Sequence, residues 1–159
     1  MKPRIELARN PKFFQSLQAV NVAIETGGLD PKLLHLVEMR ASQINGCAYC
    51  LDMHYKDARA IGETEQRLYS LEAWRETPFY SDREQAALEW TEAVTLVATS
   101  HVPDEVYEAV RGQFSEEEIK TLTLAVAMIN TWNRFNIAFR SVPGDYKPGM
   151  FRAVKQAQA

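Results

Sequence analysis

From Ser115 to Phe139 the chain carries neither glycine nor proline. The stretch opens on Ser115-Glu-Glu-Glu118, a capping box in which serine and the glutamate three residues on each satisfy a free amide of the first turn. The three acids also suit the positive end of a helix dipole. An unbroken run opened by its own cap predicts one long helix to about Phe139. Its middle, Leu122 to Ile129, is apolar nearly all round, which predicts a central place in a helical core. A chain with such an element must surround it with partners that bury the rest of that surface.

The remaining punctuation supplies those partners as further helices. Asn10-Pro11 pairs a cap with proline at the first helical position, and Phe13, Leu17, Val20 and Ile24 follow at helical spacing until Gly27-Gly28. Asp30-Pro31 repeats the signal and opens a second helix that closes near Asn45-Gly46. A third runs from there to about Ile61, stopped by Gly62. A fourth is predicted over Glu65 to Trp74, with Pro78 beyond it. Ser81-Asp-Arg-Glu84 is a second capping box; its helix places Leu88, Thr91, Val94 and Ala98 on one side. A short helix follows Pro103. Pro143-Gly144 ends the helical part, and the tail after Tyr146 is expected to be loosely held. No segment carries a strand signal, so the expected class is all-α: one helical domain over residues 1–159, with an ordered core of about 10–145.

Net charge is −3 and no basic block stands out, which argues against nucleic acid as a partner. The N-terminus lacks a secretory apolar core, and the longest uncharged stretch, Thr121 to Asn133, is too short to span a bilayer. The expected setting is the cytoplasm, with no membrane contact.

The chain holds two cysteines, Cys47 and Cys50. Secreted scaffolds spread cysteines to close loops, whereas a close pair in a cytosolic chain points to redox or metal chemistry. Asn45-Gly46 is a turn, so both thiols fall in the first turn of the third helix. There the unpaired amides and the dipole favour a thiolate, the nucleophilic form, and residues three apart are close enough to bridge. His54, one turn after Cys50, is placed to take its proton. At roughly 100° per residue, Cys47, Cys50, Leu51, His54, Ala58 and Ile61 share one arc on the apolar side, facing the core or a subunit contact. On the preceding helix Leu33, Leu34, Val37, Ala41 and Ile44 point inward. Glu38 sits at that margin, where burial is expected to raise its pKa and suit it to proton transfer with His54. Arg40, among apolar neighbours, requires a carboxylate partner that the sequence does not identify.

Other readings of these residues stay open. The pair with a histidine is compatible with zinc, although only His35, His54, His101 and acids remain as further ligands. Two inert core thiols are a further possibility. Haem attachment needs histidine directly after the second cysteine and fails here. His35 and His101 read as structural or surface residues, and Trp132, Phe135 and Phe139 as packing.

The segment Arg40-x-Ser-Gln-Ile-Asn-Gly-Cys47-Ala-Tyr-Cys50-Leu-Asp-Met-His54 resembles the core motif of the carboxymuconolactone decarboxylase superfamily, and within it the alkylhydroperoxidase AhpD-like branch. Glu89-Trp-Thr-Glu-Ala-Val, Phe114-Ser-Glu-Glu-Glu-Ile and Ile129-Asn-Thr-Trp-Asn-Arg-Phe-Asn136 look like the same branch. The resemblance covers about residues 10 to 145. It implies an all-helical AhpD-like fold assembled as a trimer or hexamer, and thiol-dependent reduction of hydroperoxides. Carried over, Cys50 is the peroxidatic cysteine, Cys47 resolves it to a disulfide, and His54 with Glu38 relays protons. No cofactor or metal is implied; the electrons come from an external thiol or dithiol carrier. Two positions depart from the pattern: Tyr49 stands where a histidine precedes the second cysteine, and His35 stands where the family's glutamate lies, twelve residues before the first. Lactone decarboxylation is not expected, since the decarboxylases typically lack the cysteine pair. The alternatives are a disulfide reductase or redox sensor using the same dithiol, and a non-enzymatic oligomeric binding protein with a structural pair.

Overall fold

The structure, a computed structural model, describes residues 2–7 and 11–150. All regular structure among these residues is helical, as the punctuation predicts. The elements are α1 (Pro11–Glu25), α2 (Pro31–Asn45), α3 (Ala48–Ala60), α4 (Glu65–Tyr69), a 3₁₀ helix (Leu71–Glu76), α5 (Asp82–Thr95), α6 (Val97–Ser100), α7 (Asp104–Arg111) and α8 (Glu116–Phe139). The cap expected at Asn10 and the tail beyond Met150 lie outside the described residues.

Local chemistry sets most boundaries. Asp30 accepts the Lys32 amide at 2.7 Å ahead of Pro31, and both capping boxes, Ser81 with Glu84 and Ser115 with Glu118, are closed. Gly46 ends α2 in the left-handed region, with φ 70°, and its amide turns back to the carbonyls of Ser42 and Gln43. That turn makes Cys47 the N-cap of α3, its sulfur accepting the Cys50 amide at 3.4 Å. Gly46→Ala is expected to lower unfolding free energy by about 1–2 kcal/mol, because a Cβ disfavours this φ; urea denaturation measures it.

The core is organised around α2, which packs against α3, α5, α8 and the 3₁₀ helix. Leu33, Leu34 and Val37 join a cluster with Trp90, Leu122 and Val126. Leu36 and Met39, on another side of the same helix, are fully buried among Leu68, Leu71, Trp74 and Leu88. Each such side chain contributes roughly 1.5–3 kcal/mol by leaving water. The helix buried on several sides is therefore α2. The middle of α8 is one-sided: Leu122, Ala125, Val126 and Ile129 face inward, while Leu124 and Ala127 are exposed. Its partners α1, α2, α3, α5 and α7 leave that outer stripe uncovered in the single chain.

Two predicted helices are interrupted. The fourth stops at Tyr69, and a 3₁₀ helix carries the chain on to Glu76. Leu68, Leu71 and Trp74 are all buried, and the chain turns all three inward through a kink at Ala73, whose φ/ψ of −108°/34° is not helical. The fifth breaks at Leu96, whose φ/ψ of −97°/27° is not helical, so Ala98 falls on α6 and is exposed instead of continuing the Leu88 face.

Both ends of the described chain close around α3 and α8. The Arg4 amide donates to the Phe139 carbonyl at 2.8 Å. Lys56 on α3 donates to the carbonyls of Gly144 and Tyr146, and the Tyr146 hydroxyl donates to the Asp57 carboxylate at 2.8–2.9 Å.

Candidate active site

The α2–α3 turn and the α3 face assemble the site. Cys47 and Cys50 are disulfide-bonded, with Cα atoms 5.4 Å apart, and each is about 1% exposed. They pack with Ala41 and Ile129, so the pair is wedged between α2, α3 and α8. As the helical arc predicts, His54 and Ala58 are buried on the same side of α3, with Leu51 and Ile61 partly so.

The two sulfurs are not equivalent. Cys50 lines a cavity of about 580 Å³, and Cys47 does not. The same wall holds His35, Glu38, His54 and Tyr49, and its apolar part includes Phe14, Leu34, Met53 and Trp132. Trp132 thus does more than pack: its ring meets Phe14 edge-on and its indole N–H donates to Asn21 at 3.2 Å. Pro3, Ile5 and Leu7, ahead of the expected core, also line the cavity.

Glu38 stands at the polar end. His35 Nδ1 lies 3.2 Å from its Oε2, a hydrogen bond when that nitrogen carries the proton. His54 Nδ1 lies 3.0 Å from the same oxygen, an ion-pair separation, but the ring is not aligned for a hydrogen bond. The two imidazole centroids are 5.8 Å apart. Burial alone would push the Glu38 carboxyl up, the direction expected from its place at the helix margin. The charge of His54 and the hydrogen bond from His35 outweigh burial and hold it well below the usual carboxylate range. Glu38 is thus an anion at the polar end of the cavity, not a carboxylic acid poised to donate. His35, read from sequence as structural or surface, belongs to the cavity wall. His101 does not: it is exposed, in the left-handed region with φ 53°, at the end of α6.

Tyr49, between the two cysteines, is half-buried. Burial and then the Asp52 carboxylate raise its phenol pKa, so it stays neutral. One residue that sequence reasoning left unassigned touches the dithiol: Asn136 of α8 donates its amide toward Cys50 Sγ at 3.5 Å and to the Trp132 carbonyl at 3.0 Å. Asn130 and Asn133 belong to the same stripe. Asn133 donates to Ser42 at 2.9 Å, and Asn45 donates to the side-chain oxygens of Asn130 and Asn133. Three asparagines at steps of three along α8 were the available signal. Buried amides are retained where they meet partners, here on α2 and the dithiol.

Among the described residues, the grouping of His, Cys, Asp and Glu donors able to share an ion is His35, Glu38 and His54; neither cysteine belongs to it.

The carboxymuconolactone decarboxylase family model matches residues 11–93, just over half of the chain. The chain belongs to this family. All the residues gathered at the cavity's polar end, and both cysteines, lie inside the matched region; Asn136 lies beyond it. Within the family the chain is AhpD-like. It is 42% identical to Atu0492 of Agrobacterium tumefaciens, a protein of unknown function assigned provisionally as the antioxidant defence protein AhpD. That structure superposes with a TM-score of 0.88, over 91% of this chain and 100% of that one. An uncharacterized peroxidase-related protein from Ralstonia eutropha JMP134, described as an alkylhydroperoxidase AhpD core, shares the fold at 23% identity. Its TM-score is 0.77, with 87% of this chain and 74% of that one covered. The uncharacterized protein YdfG of Bacillus subtilis is 53% identical over 103 residues, 65% of this chain and 70% of YdfG. Among the described residues no helix is long and apolar enough to cross a membrane.

Proposed function

We propose that this chain is a thiol-dependent hydroperoxide reductase whose attacking group is Cys50. The observation that carries the reading is the asymmetry of the pair: Cys50 opens on the cavity beside His54 and Glu38, and Cys47 is shut behind it.

The reaction begins from the reduced pair. His54 takes the Cys50 proton, and the thiolate attacks the terminal peroxide oxygen. The O–O bond breaks, Cys50 becomes a sulfenic acid, and the departing alkoxide takes the proton from His54 and leaves as alcohol. The Cys47 thiol then attacks the Cys50 sulfur, the S–O bond breaks, and water leaves with the disulfide formed. Two electrons and two protons from an external thiol or dithiol carrier restore the pair. The anion at Glu38 stabilises the imidazolium that forms at each turnover, and the Asn136 amide faces the reacting sulfur.

A disulfide reductase acting on folded proteins is the weaker reading. With both sulfurs about 1% exposed, access runs through the cavity, which suits small peroxides and slender thiols better than a protein disulfide.

Steady-state consumption of cumene hydroperoxide with dithiothreitol tests the proposal. One peroxide lost per dithiol oxidised, well above the rate without protein, supports it; no rate above dithiothreitol alone refutes it. Glu38→Gln removes the charge that supports imidazolium and is expected to lower kcat on the order of 100-fold with the fold intact.

A further inference from the structure

Proton relay through His54 accounts for Glu38 but not for a second histidine on the same oxygen. His35 Nδ1 and His54 Nδ1 converge on Glu38 Oε2 at 3.2 and 3.0 Å, and one potential ligand atom from each of the three residues lies within 4.8 Å of the others. Ligands about 2.1 Å from a shared ion in tetrahedral or octahedral array stand roughly 3.0–3.4 Å apart. Two of the three separations already fall there. The His54 nitrogen has the further mark of a ligand. His54 is 6% exposed, and its Nδ1 is a buried side-chain nitrogen without an aligned hydrogen-bond partner.

We propose that His35, Glu38 and His54 form a divalent transition-metal site of the Zn²⁺ type, with its open coordination position facing the cavity that Cys50 lines. Two imidazoles and one carboxylate are a donor set that holds Zn²⁺ or Fe²⁺ while leaving room for an exogenous ligand. The site is built on rigid elements: His35 and Glu38 are one turn apart on α2, and His54 comes from α3. It is separate from the cysteine chemistry, since no sulfur is among the donors. It also excludes the relay, because an ion bound to His54 Nδ1 and Glu38 Oε2 occupies the atoms through which they interact. Metal-loaded and peroxide-reducing forms are then alternative states of one site.

Binding is measured on the untagged, disulfide form, in which no thiolate can ligate. Calorimetric titration with Zn²⁺ should give one equivalent per chain. His35→Ala and Glu38→Gln should each weaken it by on the order of 100-fold, the upper end of what even outer-sphere partners contribute, whereas His101→Ala should leave it unchanged. Absence of stoichiometric binding overturns the proposal, as does binding that survives both substitutions or is lost with His101. Circular dichroism checks that the variants fold. If either does not, the visible spectrum of the Co²⁺-loaded native protein decides. Nitrogen and oxygen ligation without a sulfur charge-transfer band supports the site, and the spectrum of hydrated Co²⁺ refutes it. The readout is binding to oxidised protein, so its failure leaves the peroxidase reading untouched.

Discussion

Cys50→Ser is expected to lower hydroperoxide turnover by at least about 10³-fold, since it removes the nucleophile rather than an auxiliary group. Cys47→Ser should also stop turnover, but at a later step. The asymmetry follows from position. Cys50 meets the cavity and Asn136, whereas Cys47 caps α3 behind it. One equivalent of peroxide should therefore convert Cys47→Ser to a Cys50 sulfenic acid, which dimedone traps and mass spectrometry locates. In Cys50→Ser no trapped adduct should form at Cys47. Adducts at Cys47 in that variant, at a rate like that of Cys50 in the other, would reverse the assignment. Both substitutions are near-isosteric at buried positions, so unchanged circular dichroism separates loss of chemistry from loss of fold.

Stability should depend most on a residue outside the site. Arg40, whose partner the sequence does not identify, donates from Nε to Glu92 at 2.8 Å; Trp74 Nε1 donates to the same carboxylate at 2.8 Å and Arg75 at 2.7 Å. Glu92 thereby ties α2, α5 and the 3₁₀ helix together. Glu92→Ala leaves the Arg40 guanidinium, only 15% exposed, without its carboxylate and the indole N–H without an acceptor. Breaking a largely buried pair from one side costs about 3–5 kcal/mol; in a chain of this size that corresponds to a Tm lower by about 10 °C. The pH dependence has a definite sign. Burial pushes the Glu92 carboxyl up, but the Trp74, Arg75 and Arg40 hydrogen bonds and the Arg40 charge bring it below its ordinary 4.5. A carboxyl depressed in the folded state stabilises fully above the unfolded value and loses that contribution as pH falls through the folded one. The stability gap between native protein and Glu92→Ala should be constant at neutral pH and narrow in acid below 4.5. Urea denaturation across that range measures it, and a gap that widens in acid would contradict the assignment.

What was legible in the sequence was what neighbours in the chain decide. Asp30-Pro31, Gly46, Ser81-Glu84 and Ser115-Glu118 act through groups within a few residues, and each forms the cap its pattern describes. The shared face of Cys47, Cys50 and His54 follows from helical periodicity alone. What the sequence concealed depends on which elements meet. Leu36 and Met39 are core only because α2 is enclosed by the 3₁₀ helix as well as by α8, and periodicity marks just one of those faces. Arg40 and Glu92 are 52 residues apart. The Glu38 carboxyl was expected to rise because burial is readable at a helix margin, while the convergence of two histidines from two helices on its one oxygen, which outweighs burial, is not. His35 joins the cavity for the same reason: its role is set by where α3 lies.

The most direct test of the central claim is stopped-flow oxidation of the reduced protein by an organic hydroperoxide. Trp132, in the cavity wall beside Cys50, supplies the fluorescence signal, and mass spectrometry reads the cysteine state. The account predicts fast, stoichiometric formation of the Cys47–Cys50 disulfide at a rate far above that of a free thiol. Oxidation no faster than a free thiol would contradict it and leave the dithiol to a reductase, sensor or structural role.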